Sequence, residues 1–283
     1  MTDTSMPGEG KTKSVVPVPM NPAVAVMTAK DIVSWKNKHQ EVMEGKAAWS
    51  TTTAANMFRI LDHHQIPNAF IEQMSPTEML VDTCIMAPFE VVIRFGIGPE
   101  SSMLKRNPAM PLGPLPMPVV EFFLKTKGTT FKGIEVPDDD PFISYRDDAG
   151  IRVHKADKPS RGKGKLIPVE MLLDSNVVGS LSLSMLFEVM EQSLLDAGIL
   201  LKETWDAEGW DLGDFKAEFG WTLEGRLIIA DVIDNDSWRI KDPDGIERSK
   251  QVIRDGKSVK DAASDFAMVA EASDRVWAAV LDA

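Results

Sequence analysis

The chain has 283 residues, of which 43% are hydrophobic, and a formal net charge of -12 at pH 7. This length and apolar content are enough for a sizeable core in one large or two smaller domains. The negative charge repels polyanions and argues against a general nucleic-acid-binding function. Cys84 is the single cysteine, so an intrachain disulfide is excluded and a reducing compartment is expected.

The N-terminal segment does not have the features of an export signal. Its sequence, MTDTSMPGEGKTK, lacks the apolar core that a signal peptide needs. No run of about 18 apolar residues follows that could cross a bilayer. We therefore expect a cytoplasmic protein without membrane association.

The first third of the chain predicts one helix among short strands. Weak alternation in residues 13–20 favours a strand, and the helical spacing of Met57, Ile60 and Leu61 predicts a helix in the later part of residues 42–63. Three short apolar runs then predict antiparallel strands, at residues 69–71, 78–84 and 89–95.

A proline-rich segment follows at residues 107–118. It contains five prolines (NPAMPLGPLPMP) and predicts no regular element. It is a candidate crossing between two domains. We place the boundary at residue 115, which divides the chain into an N-terminal domain of residues 1–115 and a C-terminal domain of residues 116–283.

The rest of the chain predicts an α+β fold. The run VVEFFLK predicts a strand at residues 119–125, and residues 126–164 are polar enough to be mostly loop, with a basic stretch at 155–165. Leucines, Phe187 and Met190 at three-four spacing predict a helix that ends near Gly198. A last helix is expected over residues 262–281.

The segment WDLGDFKAEFGWTLEGRLIIADVIDNDSWR predicts a hairpin that carries charged groups among apolar ones. Side chains alternate along a strand, so Asp214, Lys216 and Glu218 share one face, and the turn at Glu224-Gly225 would bring Asp231 beside them. Carboxylates beside an ammonium suit a metal-bound phosphate, because hard cations take oxygen ligands. The alternative is an edge strand whose charges face water.

Two further segments have the residue types of a phosphate site. Gly8-Glu9-Gly10-Lys11-Thr12-Lys13 offers backbone amides and ammonium groups, but it could equally be an unstructured tail. Arg94, Ser102, Lys105 and Arg106 could hold a phosphomonoester by charge-assisted hydrogen bonds, or they could form a solvated basic turn.

These motifs together resemble the SAICAR synthetase family. The family's Lys-x-Glu-Phe-Gly strand and Asp-Ser-x-Arg segment correspond to KAEFG and DSWR, and its Glu-Gly-Lys-x-Lys and Lys-Gln-x-x-Arg motifs correspond to EGKTK and KQVIR. The matches recur in order from Gly10 to Arg254. The resemblance implies a two-part α+β fold in which an N-terminal antiparallel sheet carries the glycine loop and ATP lies in a cleft before the larger part.

The resemblance also implies roles for individual residues. Glu218 and Asp231 would be Mg²⁺ ligands and, with Lys216, the catalytic groups. Gly10, Lys11, Lys13 and Lys125 would contact ATP. Substrate would be bound by Arg94, Ser102, Lys105, Arg106, Asp236, Ser237, Arg239, Lys250, Gln251 and Arg254.

The implied reaction is ATP-dependent ligation in purine biosynthesis. In the family, the carboxylate of carboxyaminoimidazole ribonucleotide (CAIR) is activated and the amine of L-aspartate attacks it, which gives SAICAR, ADP and phosphate. The sequence departs from the family at Asn68, Lys127 and Val232. We therefore keep two alternatives, a ligase of this fold with a different carboxylate or amine and a non-catalytic nucleotide-binding homologue. The oligomeric state is not predicted, and a homo-oligomer is possible.

Overall fold

The computed structural model describes residues 8–35, 39–147, 149–160, 164–173 and 182–282. The strands are β1 (Lys13–Val18), β2 (Asn21–Ala29), β3 (Ile32–Trp35), β4 (His39–Val42), β5 (Phe70–Ser75), β6 (Glu78–Asp82), β7 (Cys84–Ile97), β8 (Gly113–Leu124), β9 (Thr130–Phe131), β10 (Ile134–Glu135), β11 (Phe142–Asp147), β12 (Gly150–His154), β13 (Lys165–Pro168), β14 (Asp211–Thr222), β15 (Leu227–Ala230) and β16 (Trp238–Lys241). The helices are α1 (Lys46–His63), α2 (Ser102–Arg106), α3 (Val169–Leu172), α4 (Leu183–Ala207), α5 (Gln251–Arg254) and α6 (Val259–Leu281).

Two larger antiparallel sheets organise the molecule. A four-stranded sheet has the order β1-β2-β6-β5, and an eight-stranded sheet has the order β13-β12-β11-β8-β7-β14-β15 with β16 paired to β14. Two small hairpins, β3–β4 and β9–β10, complete the described strands. The expected α+β class is confirmed. None of the helices in the described ranges is long and apolar enough to cross a membrane.

The core lies where α4 packs on the central strands β7, β8 and β14. Phe187 of α4 is fully buried, and its ring lies 5.0 Å from the ring of Phe89 and 4.6 Å from that of Phe122. The predicted end of this helix at Gly198 is wrong, because α4 continues to Ala207. A Cβ at Gly198 would lie 2.5 Å from Cδ1 of Ile93, so the glycine permits close packing of helix on sheet.

The proline-rich segment is half strand, which corrects the prediction of no regular element. β8 begins at Gly113 and pairs with β7 over most of its length, whereas its pairing with β11 is confined to Phe122 and Phe123. Its prolines occupy alternate positions, so they remove N–H donors from one edge of the strand only. This is the edge away from β7, where few residues of β8 are paired. The expected domain boundary at residue 115 falls inside this strand. A two-part division remains our proposal.

Residues 126–164 contain more structure than their polar composition predicts. They include the hairpins β9–β10 and β11–β12, which the sequence analysis assigned to loop. β12 extends the large sheet through residues such as Ile151 and Val153, which are buried. Two apolar positions in a five-residue strand are too weak a periodic signal to be distinguished from a loop.

The partly buried carboxylate of Asp140, in the turn before β11, should make the stability of the protein depend on pH. Burial raises the pKa of Asp140 to about 6, from 3.8. Between about pH 4 and pH 6 the folded state therefore holds a proton that the unfolded state has lost, so this group's contribution to stability falls as pH rises through that window. Asp140→Asn keeps the oxygen that accepts from the Thr126 amide at 2.8 Å. We expect the variant to be more stable than wild type by about 1–2 kcal/mol at pH 7.5.

Urea unfolding of both proteins at pH 5.0 and pH 7.5 checks this prediction. The stability difference should shrink markedly at pH 5.0, since Asp140 is then mostly protonated in the folded protein. A difference of the same size at both pH values would contradict the prediction.

Candidate active site

A cavity of about 620 Å³ lies between the four-stranded sheet, the start of α1 and the end of the β14–β15 hairpin. Charged side chains dominate its lining. The lysines are Lys11, Lys13, Lys46, Lys125, Lys127, Lys216 and Lys250, and the carboxylates are Glu90, Glu218, Asp231, Asp234 and Asp236. Gly10 and Ser237 also line it, so ten residues of the predicted site meet here: Gly10, Lys11, Lys13, Lys125, Lys216, Glu218, Asp231, Asp236, Ser237 and Lys250.

The predicted hairpin positions the two candidate metal ligands. Glu218 on β14 lies opposite Ala230 on β15, and Asp231 follows directly, so both carboxylates reach the same cavity. Asp231 has a φ of 67°, a left-handed conformation that is rare outside glycine. Such strain persists only where the surrounding structure holds it, and it clusters at functional sites.

Lysines surround the Glu218 carboxylate. Lys125 forms an ion pair with it, and the Lys216 ammonium lies 3.5 Å from its other oxygen and 2.6 Å from Glu90. Burial would raise the pKa of Glu218, but the attraction of Lys125 and Lys216 outweighs it and keeps the pKa below its usual value. Burial would likewise lower the pKa of Lys216, which Glu90 and Glu218 instead raise. Both groups are therefore charged at neutral pH.

The glycine-lysine segment covers the cavity from the side of the four-stranded sheet. Lys13 forms an ion pair with Asp231, and burial lowers its pKa to about 8. Lys30, directly after β2, donates to the carbonyl of Gly10 at 2.9 Å and forms an ion pair with Glu9. The segment is thus held in place over the site.

A second carboxylate, Asp236, is shared by two ammonium groups. The Lys46 Nζ lies 3.1 Å from one of its oxygens, and the Lys250 Nζ lies 3.3 Å from the other. Burial would raise the pKa of Asp236, but Lys250 and Lys46 hold it well below the usual range. Ser237 beside it donates to the carbonyl of Val232 at 2.8 Å, which fixes the loop after β15.

Arg94 is the centre of a buried arginine–carboxylate cluster outside the cavity lining. Its guanidinium donates to Glu121 at 2.6 Å, to Asp214 at 2.9 Å and to the Ser102 hydroxyl at 3.1 Å. Arg239 forms an ion pair with the same Asp214. Asp214 therefore forms its ion pairs with two arginines and not with Lys216.

Arg106 and Lys105, which follow Ser102 in α2, lie in different environments. Arg106 is 5% exposed, donates to the Ala156 carbonyl and Glu121, and lies 4.1 Å over the Phe142 ring. Arg106 nevertheless lines a cavity of about 480 Å³, and its role in substrate binding remains a proposal. Lys105 is exposed and forms an ion pair with Glu100 at 3.0 Å, away from the cavity lining.

Gln251 and Arg254 of α5 support each other beside the site. Arg254 donates to the Gln251 side chain at 3.2 Å, and Gln251 donates to Asp255 at 2.8 Å. Burial lowers the pKa of Arg254, as does the charge of Arg239 nearby. Arg254 therefore adds to the positive charge near Arg239.

A second cavity of about 360 Å³ adjoins the first and is mainly apolar. Its lining includes Val15, Val81, Cys84, Met86 and Ala230, and burial raises the pKa of the Cys84 thiol to about 12. The two cavities share these lining residues: Gly10, Lys13, Met27, Lys125, Glu218 and Asp231. The charged groups of the hairpin thus lie at the junction between an apolar cavity and a polar one.

The donor set at the junction fits Mg²⁺. Among the described residues no cluster of three or more His, Cys, Asp or Glu side chains could hold a metal alone. Mg²⁺ in nucleotide sites takes one or two carboxylates together with phosphate oxygens and waters. Glu218 and Asp231 are such carboxylates, and the lysines that line the same cavity are cations of the kind that pair with phosphate oxygens.

Several residues of the site were not found in the sequence analysis. Lys46, Glu90 and Asp234 line the cavity, and Glu121 forms a buried ion pair with Arg94. Lys46 did carry a signal, since it follows Gly45 and starts a helix. Of the three departures, Lys127 and Val232 line the cavity, whereas Asn68 holds Asp62 and the Phe70 amide instead.

Comparison with known proteins gives a consistent result. The family model for SAICAR synthetase matches residues 6–135 and 170–272. Phosphoribosylaminoimidazole-succinocarboxamide synthases are similar over 96% of this chain and 96% of their own length, with 32% identity for Chloroflexus aurantiacus and 34% for Chloroflexus aggregans. A solved SAICAR synthetase in complex with ADP is 25% identical, with a TM-score of 0.70 over 93% of this chain and 96% of its own.

Proposed function

Because the chain belongs to the SAICAR synthetase family, we propose that it joins L-aspartate to the carboxylate of CAIR at the expense of ATP. The observation that carries the proposal is the junction, where Lys13, Lys125, Glu218 and Asp231 separate an apolar cavity from a charged one. The apolar cavity suits a nucleotide base, and the junction suits its phosphates. The larger cavity then receives the other two substrates.

Phosphoryl transfer requires positioning and charge neutralisation rather than a side-chain nucleophile. Lys11, Lys13 and Lys216 would neutralise the phosphates, and Glu218 with Asp231 would hold Mg²⁺. The metal would supply further positive charge to neutralise the phosphates. Lys13 and Lys125 pair with these two carboxylates in the structure. When the nucleotide binds, their ammonium groups would pair with phosphate oxygens instead.

The chemistry on the substrate side follows from the same arrangement. Transfer of the terminal phosphoryl group to the CAIR carboxylate gives an acyl phosphate, whose carbon the aspartate amine attacks to release phosphate. Water would hydrolyse such a species, so the site must be closed. The segment from Gly10 to Lys13, held by Lys30, is the cover that we assign to this task.

The arginine cluster suits the ribonucleotide phosphate. Arg94, Ser102 and Arg239, with Arg254 nearby, provide charge-assisted donors of the kind that bind a phosphomonoester. Lys250, Asp236 and Ser237 would line the path between this phosphate and the reacting carboxylate. A role for Lys105 and Gln251 in substrate binding remains part of the proposal. So does a cytoplasmic location, without nucleic-acid or membrane partners; a homo-oligomer remains possible.

The test is product formation by purified protein with Mg²⁺, ATP, CAIR and L-aspartate, and with each substrate omitted in turn. We expect SAICAR and ADP in equal amounts, and only from the complete mixture. ADP release that depends on another carboxylate or amine would indicate a ligase with different substrates. This is the second candidate function, because two departures from the family, Lys127 and Val232, line the cavity. Folded protein without turnover on any substrate would overturn the enzyme assignment.

A further inference from the structure

One internal segment of the chain, residues 136–169, lies between the two parts that the family model matches. It contains β11, β12 and β13, which extend the eight-stranded sheet at the edge opposite the β14–β15 hairpin. It also contains the basic stretch at residues 155–165, which has no part in the proposed ligase reaction. Membership in the family therefore accounts neither for these strands nor for their charges.

A cavity of about 460 Å³ lies within this segment, and its lining is cationic. The described lining residues all fall between Pro137 and Lys165, and they include Lys155, Lys158 and Lys165 but no carboxylate. A lining of positive sign stands out in a chain whose formal net charge is -12. The volume is within the range of small-molecule sites. The cavity shares no described lining residue with the two cavities at the junction.

His154 adds a buried polar group to this lining. The residue is 7% exposed, and within the described ranges its side chain has no hydrogen-bond partner. Burial lowers the pKa of His154, so the imidazole is neutral at pH 7.5 and offers one N–H donor. Buried polar groups are nearly always partnered in folded proteins. A ligand with an acceptor oxygen would supply the missing partner.

Gly164 allows the two sides of the cavity to approach each other. It has a φ of 71°, and a Cβ at this position would lie 2.5 Å from Nε2 of His154. A side chain here would therefore push the start of β13 away from the imidazole. The next residue, Lys165, pairs with Val153 of β12, which places it close to Lys155 along the same strand pair.

The segment that carries two of these lysines is held in place from below. Ala156 lies between them in the chain, and its amide donates to Asp138 at 3.1 Å. Its carbonyl accepts from the buried Arg106. Asp138 is thus engaged by the backbone, and neither it nor the exposed Asp157 lines the cavity. The site is therefore preformed, which reduces the cost of ordering it around a ligand.

The donors indicate the chemical class of the ligand. A carboxylate has two oxygens and one charge, whereas a phosphate monoester has three terminal oxygens and close to two charges. Phosphate matches the three ammonium groups, the His154 N–H and the Ser160 hydroxyl more fully. We propose that this cavity is a binding site for a phosphorylated small molecule, separate from the cavities of the ligase reaction.

NMR of the histidine side chains tests the proposal at this site alone. The chain has four histidines, and His154 lines this cavity whereas none lines the two cavities at the junction. Inorganic pyrophosphate is added at pH 7.5 and constant ionic strength. His39→Gln, His63→Gln and His64→Gln, at exposed positions, assign the His154 signal by elimination. We expect the His154 signal to shift and saturate while the other three stay in place.

The lysines are tested together because each is exposed and contributes little alone. The combined variant Lys155→Met, Lys158→Met and Lys165→Met should raise the Kd for pyrophosphate about ten- to hundredfold. The matched control combines Lys132→Met, Lys241→Met and Lys260→Met, which removes the same charge at exposed positions elsewhere. The control should keep the Kd within about threefold, because distant charges are screened. The unchanged signals of the other histidines verify the fold of both variants.

Three results would overturn the proposal. The first is a His154 signal that does not move at about 10 mM pyrophosphate. The second is an equal Kd in the two combined variants. The third is an equal shift with acetate or sodium chloride at the same ionic strength, which would exclude a preference for phosphate. None of these results depends on SAICAR formation, so this inference and the proposed function can fail separately.

Discussion

Glu218→Gln should reduce kcat by about 10²–10³-fold while the fold is retained. The change keeps the shape of the side chain but removes the charge that faces Lys125 and Lys216 and that would hold the metal. Lys216 keeps Glu90 as a partner at 2.6 Å, and the Lys125 side chain is 39% exposed and can be hydrated. Removal of one member of a buried ion pair typically costs about 3–5 kcal/mol of unfolding free energy. The loss in Glu218→Gln should therefore be smaller than that.

Steady-state kinetics and thermal unfolding of the same preparation measure both quantities. Glu224→Gln is the matched control, because Glu224 is an exposed carboxylate in the turn of the same hairpin. The control should behave as wild type. Retention of activity within about tenfold in Glu218→Gln would contradict a role at the metal and phosphates.

Arg94→Met should have the largest effect on stability, a loss of about 3–5 kcal/mol of unfolding free energy. Arg94 is 4% exposed and donates to Glu121, Asp214 and Ser102. Without it the two buried carboxylates keep one arginine each, Arg106 and Arg239, and lose the group that joins them. Binding of the ribonucleotide should weaken as well, since the cluster suits its phosphate.

Urea unfolding of Arg94→Met beside Lys105→Met provides the comparison. Lys105 belongs to the next segment but forms an exposed ion pair with Glu100, so its removal should cost about 0–1 kcal/mol. Equal losses in the two variants would show that the buried cluster contributes no more than a surface pair.

The arrangement of charged groups on the β14–β15 hairpin could be predicted because a strand has a period of two residues. That rule alone places Lys216 and Glu218 on one face, and the short turn at Gly225 brings Asp231 to them. It also places Asp214 on that face, but it does not reveal that strands β7 and β16 supply Arg94 and Arg239 as the partners of Asp214. Which neighbouring strand supplies a partner is decided by sheet order, and one strand's sequence does not contain that information.

Two other features that the sequence did not predict have the same cause. Lys46 reaches Asp236 across 190 positions of the chain, so no local pattern indicates the contact. Gly198 resembles a helix end, whereas its missing side chain serves the packing of α4 on β7. In each case tertiary contacts override what the local residue types favour.

The most direct test of the central claim follows an oxygen atom. CAIR with ¹⁸O in its carboxylate is incubated with the protein, Mg²⁺, ATP and L-aspartate, and the inorganic phosphate is examined by mass spectrometry. If the carboxylate is activated by phosphoryl transfer, one ¹⁸O atom leaves with the phosphate for each SAICAR formed. Product formation with unlabelled phosphate would contradict that route, and absence of any aspartate-dependent product would contradict the assignment itself.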